Sequence, residues 1–231
     1  MSEALEIRAE IAKIARLLGT DAEELAYLEG VKPEGLIDFR EQLVELFYGG
    51  DVGGLQRFVG PSKILPSSLI ASVTQEAVGP MLTARIAGLV DPAQAIAVVA
   101  RLPIEFLADV AVEIDPRRVP GIIGGMTDQV VGDIAEVLVG RREYVAMGRF
   151  VAYVSGEQLA ATFDMADDVD LLQTAFVLED KDHLSVAVSL LPDERLRGIM
   201  RAAGTEGLWA EAIDLVLHMD DEQYARVIDI V

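Results

Sequence analysis

Residues 91–116 read DPAQAIAVVARLPIEFLADVAVEIDP, and the fold follows from how this stretch is divided. Asp91 is a residue type that caps helices, and Pro92 suits a first helical turn. Ile96, Val98, Val99 and Leu102 supply the apolar side chains of a first helix. Leu102-Pro103-Ile104-Glu105 interrupts it, and Phe106, Leu107, Val110 and Ala111 form the stripe of a second helix. Downstream the same cadence returns, with breaks at Met126-Thr127-Asp128-Gln129, Val154-Ser155-Gly156-Glu157, Leu178-Glu179-Asp180-Lys181 and Ala203-Gly204-Thr205-Glu206. Their second positions, 103, 127, 155, 179 and 204, are separated by 24, 28, 24 and 25 residues. Later units begin near Arg117, Tyr144, Asp168 and Asp193. A helix pair of this length cannot bury its apolar face alone, so the spacing predicts an all-α solenoid in which pairs stack on their neighbours. A compact all-α bundle is the alternative for the same helix lengths.

Upstream, an irregular first unit runs from Ser67 to Val90 with Gly79-Pro80 as its break. The N-terminal segment carries one apolar seam, Ala4, Ile7, Ile11, Ile14 and Leu18, ended by Gly19. Thr20-Asp21-Ala22-Glu23 reads as a capping box for a short helix to about Glu29. Pro33 then opens a third helix whose buried face is Leu36, Phe39, Leu43, Leu46 and Phe47. The organisation expected is a helical segment over 1–50 that docks or dimerises, a linker or turn region over 51–65 containing Gly49-Gly50-Asp51-Val52-Gly53-Gly54 at its start, and a repeat domain over 66–231. The last helix is expected from about Asp221, with Val227, Ile228, Ile230 and Val231 packing back or meeting a partner.

The charge excludes whole classes of function. The formal net charge is −20, and it is uneven: residues 151–231 hold 17 acids and 5 bases, a net of −12. Nucleic-acid binding needs clustered Lys and Arg to displace counterions, so nucleic acid is not expected as a partner. Anionic membranes are disfavoured on the same ground. The chain has no cysteine, which removes disulfides, thiolate metal sites and a Cys nucleophile. Its longest stretch free of charge, Ile64 to Gln75, is too short to span a bilayer, and its acidic start is unlike a signal peptide. A cytoplasmic location is therefore expected. The excess of Arg over Lys, with abundant Ala, Val and Gly, points to a GC-rich bacterial genome.

The text of 91–116 resembles the repeats of the intracellular N-terminal domain of MgtE-type magnesium transporters, which share its acid-Pro start, helix, Leu-Pro break and helix. The helical superhelix of the flagellar motor switch protein FliG is similar too. The likeness covers residues 66–231 and rests on cadence. It implies a right-handed superhelix of short antiparallel helices, in a domain that is acidic, regulatory and involved in sensing divalent cations. Transport is not implied, because membrane helices and room for the paired cystathionine-synthase-type domains are both lacking. No cation ligand carries over residue by residue.

Residues that could do chemistry are few. His183 and His218 fall in different units, with no Ser-x-Gly elbow or His-Glu-x-x-His pattern nearby, and read as capping or surface residues. His218 near a helix end is placed where the dipole favours a protonated ring. Asp164, Asp167, Asp168 and Asp170 form the densest acid cluster and are the candidate ligands for a weak Mg²⁺ or Ca²⁺ site, against the plainer reading as helix N-caps. Arg117, Arg118, Arg141 and Arg142 are two basic doublets about one repeat apart, suited to an acidic partner surface or to local ion pairs. The glycines at 121, 124 and 125 lack the Lys-Ser/Thr ending of a phosphate loop and read as close-packing points. Trp209, the single tryptophan, is expected in the last core layer.

No nucleophile–base pair, cofactor fingerprint or metal motif emerges, so catalysis is not expected. The function expected is a non-catalytic helical-repeat interaction module, an adaptor or regulatory scaffold, binding a protein or peptide that is basic or amphipathic. A carrier or sensor of an apolar small molecule is the alternative suggested by the small apolar side chains of the middle repeats. A divalent-cation-responsive regulatory domain is the third. Homodimerisation through the first helix or the apolar C-terminus is a separate expectation.

Overall fold

The computed structural model describes residues 3–49, 65–179 and 181–230. The linker expected over 51–65 falls outside them except for Leu65, as do Asp180, Val231 and the side chain of Phe47. No strand occurs among the described residues, so the protein is all-helical. The chain divides into two compact units, one of Met1–Tyr48 with Phe163–Val231 and one of Gly49–Thr162.

In the second unit, α3 (Ser67–Val73), α4 (Pro80–Ala87), α5 (Pro92–Val99), α6 (Ile104–Glu113), α7 (Pro120–Ile123), α8 (Asp128–Gly140) and α9 (Tyr144–Phe150) follow one another through tight breaks. Helices this short are marginal in isolation. The first four gain cover from the helix two places on: α3 packs on α5, α4 on α6, α5 on α7 and α6 on α8. The main core gathers Ala84, Ala95, Val110, Ile114, Val119, Ile122 and Ile123, each from an apolar stripe of a successive element. Gly125 is a close-packing point, since a Cβ there would run into Ile96.

The second unit ends within α10 (Gly156–Met165), and the first unit takes in its last residues, followed by α11 (Asp168–Phe176), α12 (Leu184–Ser189), α13 (Asp193–Glu206), α14 (Trp209–Leu217) and α15 (Asp221–Ile230). α11 packs on α13 and α13 on α15. The N-terminal helices α1 (Glu3–Leu18) and α2 (Pro33–Gly49) belong to the same unit. Ile7, Ile11, Ile14 and Ala15 of α1 form a core with Leu25 and Leu36, so the first seam is covered within the chain.

Three details differ from the sequence-based expectations. Thr20 does not cap: the segment Ala22–Gly30 is a 3₁₀ helix with Asp21 ahead of it, and the Thr20 hydroxyl instead donates to the Glu24 carboxylate. On α2 the buried positions are Leu36, Arg40 and Val44, while Phe39 and Leu46 face solvent. The break expected at 203–206 lies inside α13, which runs on until Gly207 adopts a left-handed φ of 72° and stops it. Gly204 is helical, and its bare Cα is where the ring of Trp209 rests. That glycine is a seat, not a break.

Helix starts reveal a longer period than the pairwise breaks do. Residues 80, 144 and 209 begin equivalent helices, 64 and 65 residues apart. Asp91, Ser155 and Asp220 then occupy one structural position, followed three residues later by Gln94, Gln158 and Gln223. In all three the cap oxygen accepts the backbone N–H of that glutamine, at 3.2, 3.2 and 2.8 Å. Ser155 closes a reciprocal box, its own N–H donating to the Gln158 Oε1 at 2.9 Å.

A second recurring device closes helix ends. The last carbonyls of a helix have no partner of their own. Arg149 of α9 donates to the carbonyls of Val112 (2.8 Å) and Ile114 (3.3 Å) at the end of α6. Arg195 of α13 donates to those of Phe163 and Ala166 at the end of α10. Arg226 of α15 donates to those of Val188 (3.1 Å) and Leu191 (2.6 Å) at the end of α12. Each arginine comes from the helix three places on, and the planar fork of guanidinium suits two carbonyls at once.

Two substitutions test these terminators. Gly207→Ala is expected to lose about 1 kcal/mol, because a Cβ there meets nothing yet the left-handed φ penalises it. Arg226→Lys keeps the charge but not the fork and is expected to lose about 1–2 kcal/mol. Urea unfolding followed by far-UV circular dichroism reads both; unchanged midpoints would mean that neither device holds the stack.

Candidate functional site

The acids singled out in the sequence have structural partners. Asp167 caps α11 by accepting the Asp170 N–H at 2.7 Å, and Asp170 accepts the Asp167 N–H in return, a full capping box. Asp168 faces Arg195 at 3.2 Å, and Asp164 is exposed on α10. Among the described residues no three His, Cys, Asp or Glu side chains converge as a metal-holding group. The basic doublets are likewise engaged. Arg117 and Arg118 both face the buried Asp115, at 3.0 and 3.7 Å, and Arg141 reaches Asp109 at 2.6 Å and the Glu105 carboxylate. Arg142 sits at the end of α8 with a left-handed φ of 56°. His183 ends a 3₁₀ turn before α12, and His218 closes α14 with its Nδ1 2.7 Å from the Asp214 carbonyl oxygen.

What the sequence pattern did not single out is a buried polar cluster in the first unit. Glu10 of α1 is buried, with Lys13 Nζ 2.8 Å from one carboxylate oxygen and Arg40 Nε 2.9 Å from the other. Arg40 also holds Glu179 at 3.0 Å, and Lys13 donates to the Leu178 carbonyl at 3.3 Å. Glu10 therefore pins α2 to α1, and both basic residues pin the pair to the segment after α11. Burial pushes the Glu10 carboxyl up, but Lys13 and Arg40 beside it outweigh this and hold it below its ordinary value of 4.5. Neither Lys13 nor Arg40 stands out in the sequence, because each is separated from its far partner by more than a hundred residues.

α14 shows a second oddity. Its inward face carries Glu211 and Asp214, 4% and 3% exposed, beside Ala212 and Leu215. Arg8 of α1 reaches Glu211 at 2.8 Å while its guanidinium lies 5.8 Å from the centre of the Phe176 ring. Lys181 reaches Asp214 at 2.7 Å. The acids are thus inside because distant cations meet them there. Three large apolar side chains of the same helix are nevertheless outside: Trp209, Ile213 and Leu217, spaced by four residues on one face, are 45%, 54% and 61% exposed. Trp209 accordingly stands at the edge of the unit and not in a core layer. Amphipathic helices in soluble proteins normally have the opposite arrangement.

Among the described residues no helix is long and apolar enough to cross a membrane. Compared with models of known protein families, with characterised proteins and with solved structures, the chain matches none.

Glu10→Ala leaves two buried cations short of an anion and is expected to cost about 3–5 kcal/mol in urea unfolding at neutral pH. Because the folded-state pKa of Glu10 is depressed, its contribution is complete above the unfolded value and drains as pH falls below 4.5. The stability gap between wild type and Glu10→Gln should therefore be widest near pH 7 and close in acid. A gap independent of pH would show that the Glu10 charge is not what holds the cluster.

Proposed function

We propose that this protein is a non-catalytic helical-repeat interaction module, an adaptor or regulatory scaffold that binds a protein or peptide partner. The observation that carries the reading is the stacking of α3 on α5, α4 on α6, α5 on α7 and α6 on α8 in the second unit and of α11 on α13 and α13 on α15 in the first, with caps returning at 91, 155 and 220. Repeats joined in this way expose long surfaces to partners and concentrate little chemistry at any one point. Arg117, Arg118, Arg141, Asp167, Asp168 and Asp170 support the same reading, since they serve helix ends and ion pairs. The arrangement we assign to the repeats is the right-handed superhelix implied by the resemblance of residues 91–116 to the MgtE N-terminal domain. The acidity of residues 151–231 makes a basic or amphipathic partner the expected one.

Two measurements test this. A compact globule of 231 residues has a radius of gyration of about 17 Å, so small-angle scattering from the monomer should give a clearly larger value if the repeats form a superhelix. Affinity capture from native cell extract, quantified against bare matrix, should recover a protein in stoichiometric amount, with recovery falling as salt rises. A compact radius overturns the superhelix, and the absence of any stoichiometric protein overturns the module.

A further inference from the structure

We propose that the outer face of α14, built from Trp209, Ile213 and Leu217, is the seat of an amphipathic helix from a partner protein, with an apolar stripe flanked by Lys or Arg. This rests on the interaction-module reading and names its surface and the chemistry of its partner.

The internal period identifies what normally lies on this face. Stepping back by 65 and 64 residues, Trp209, Ile213 and Leu217 correspond to Pro80, Ala84 and Gly88 of α4. There the middle position is covered, while Pro80 is half-buried and Gly88, just past the end of α4, is exposed. Ala84 is 4% exposed within a core whose other members include Val110 and Ile114 from α6 and its end, and a Cβ on Gly88 would touch Arg118. The cover is the helix two places on. Ile228 of α15 corresponds to Val99 of α5, which packs against the same core, so the exposed Ile228 extends the seat. Among the described residues nothing fills the equivalent place over α14. A surface that meets only water is normally polar, and a contiguous apolar stripe rimmed by charge marks an interaction site. Where α4 has Pro80 and the buried Ala84, α14 presents the exposed Trp209 and Ile213, followed by the exposed Leu217, which is the composition of a contact face.

Charge selects the occupant. Glu206, Asp220, Asp221, Glu222 and Asp229, on α13, on α15 or just before it, are exposed. Arg226 is the only Lys or Arg between residues 204 and 230, and it is bonded to Asp193 and two backbone carbonyls. A second copy of this face would bring acid against acid. A helix with a basic margin meets both the apolar stripe and its surroundings, as in helix-in-groove recognition.

The single tryptophan lies in the seat, so its emission reports occupancy directly. The probe is a synthetic helical peptide of about 16 residues with Leu at i, i+3, i+4 and i+7 flanked by Lys. Controls are a scrambled peptide of the same composition and a version with Glu in place of Lys. The Lys peptide should shift Trp209 emission to the blue saturably, bind at least tenfold more tightly than either control, and weaken with salt. Ile213→Asp and Leu217→Asp change exposed positions, and circular dichroism confirms that each variant is folded. Each should weaken binding at least tenfold, although the added acid would strengthen a purely electrostatic contact. Tight binding that survives both variants, or no saturable shift, overturns the seat. Sedimentation of the free protein decides on a second copy: a wild-type dimer dissolved by Ile213→Asp also overturns the proposal. If both variants still capture the cellular partner at the wild-type level, the seat is wrong while the module stands. Failure of the module appears separately, as capture of no partner by wild type.

Discussion

Helices of eight to fourteen residues cannot hold themselves together in water, and much else in this molecule follows from that constraint. A helix of this length gains its stability from the face it buries, and for α3 to α6, α11 and α13 that face is covered by the helix two places along the chain. Placing cover at a fixed distance in sequence makes the contacts local and repetitive. It also multiplies helix ends, and every end leaves carbonyls without partners. Arg149, Arg195 and Arg226 answer that cost from three helices on, so the stacking and the capping have the same periodic origin. An arginine is useful here for its geometry, since its fork spans two carbonyls that a single ammonium would have to choose between.

The N-terminal helices solve a different problem. They are joined to the later part of their unit by Glu10, Lys13 and Arg40, with Glu179 and the Leu178 carbonyl as the receiving groups. A buried ion cluster adds little stability compared with apolar packing of the same volume, because desolvation offsets most of the attraction. Its effect is on specificity. An apolar seam such as Ile7, Ile11 and Ile14 could settle against many apolar stripes in a chain of this composition. Glu10 has satisfactory surroundings only where two cations converge, so the cluster fixes the register of α1 and α2.

The cadence of the helices was legible because a cap, a proline or a serine at each start is a local signal, as at Asp91-Pro92 and Ser155-Gly156. The 64- and 65-residue period was hidden by two longer helices, α8 and α13, which spread the pairwise intervals between 24 and 28. Gly204 misled for a physical reason: a glycine that stops a helix and one that admits an aromatic ring look alike in sequence. The metal candidates Asp167 and Asp170 were legible as caps from their spacing of three, which is that of a capping box. Arg40 and Glu10 were not legible, because a buried charge differs from a solvated one only through partners that the fold supplies.

The same reasoning accounts for the inverted character of α14. Read alone, Trp209-Ala210-Glu211-Ala212-Ile213-Asp214 fits a helix with its acids in water and its isoleucine inside. Arg8 and Lys181 reverse the choice, since a carboxylate facing a cation within 3 Å loses less on burial than one without a partner. Once Glu211 and Asp214 are held inward, the helix has no freedom left to hide Ile213 and Leu217, which lie on the opposite side. The exposed stripe is therefore a consequence of how α1 and Lys181 engage this helix. Ala212 and Leu215 lie on that same inward side, so apolar packing and the ion pairs to Arg8 and Lys181 together set the orientation of α14 and leave Trp209, Ile213 and Leu217 outside.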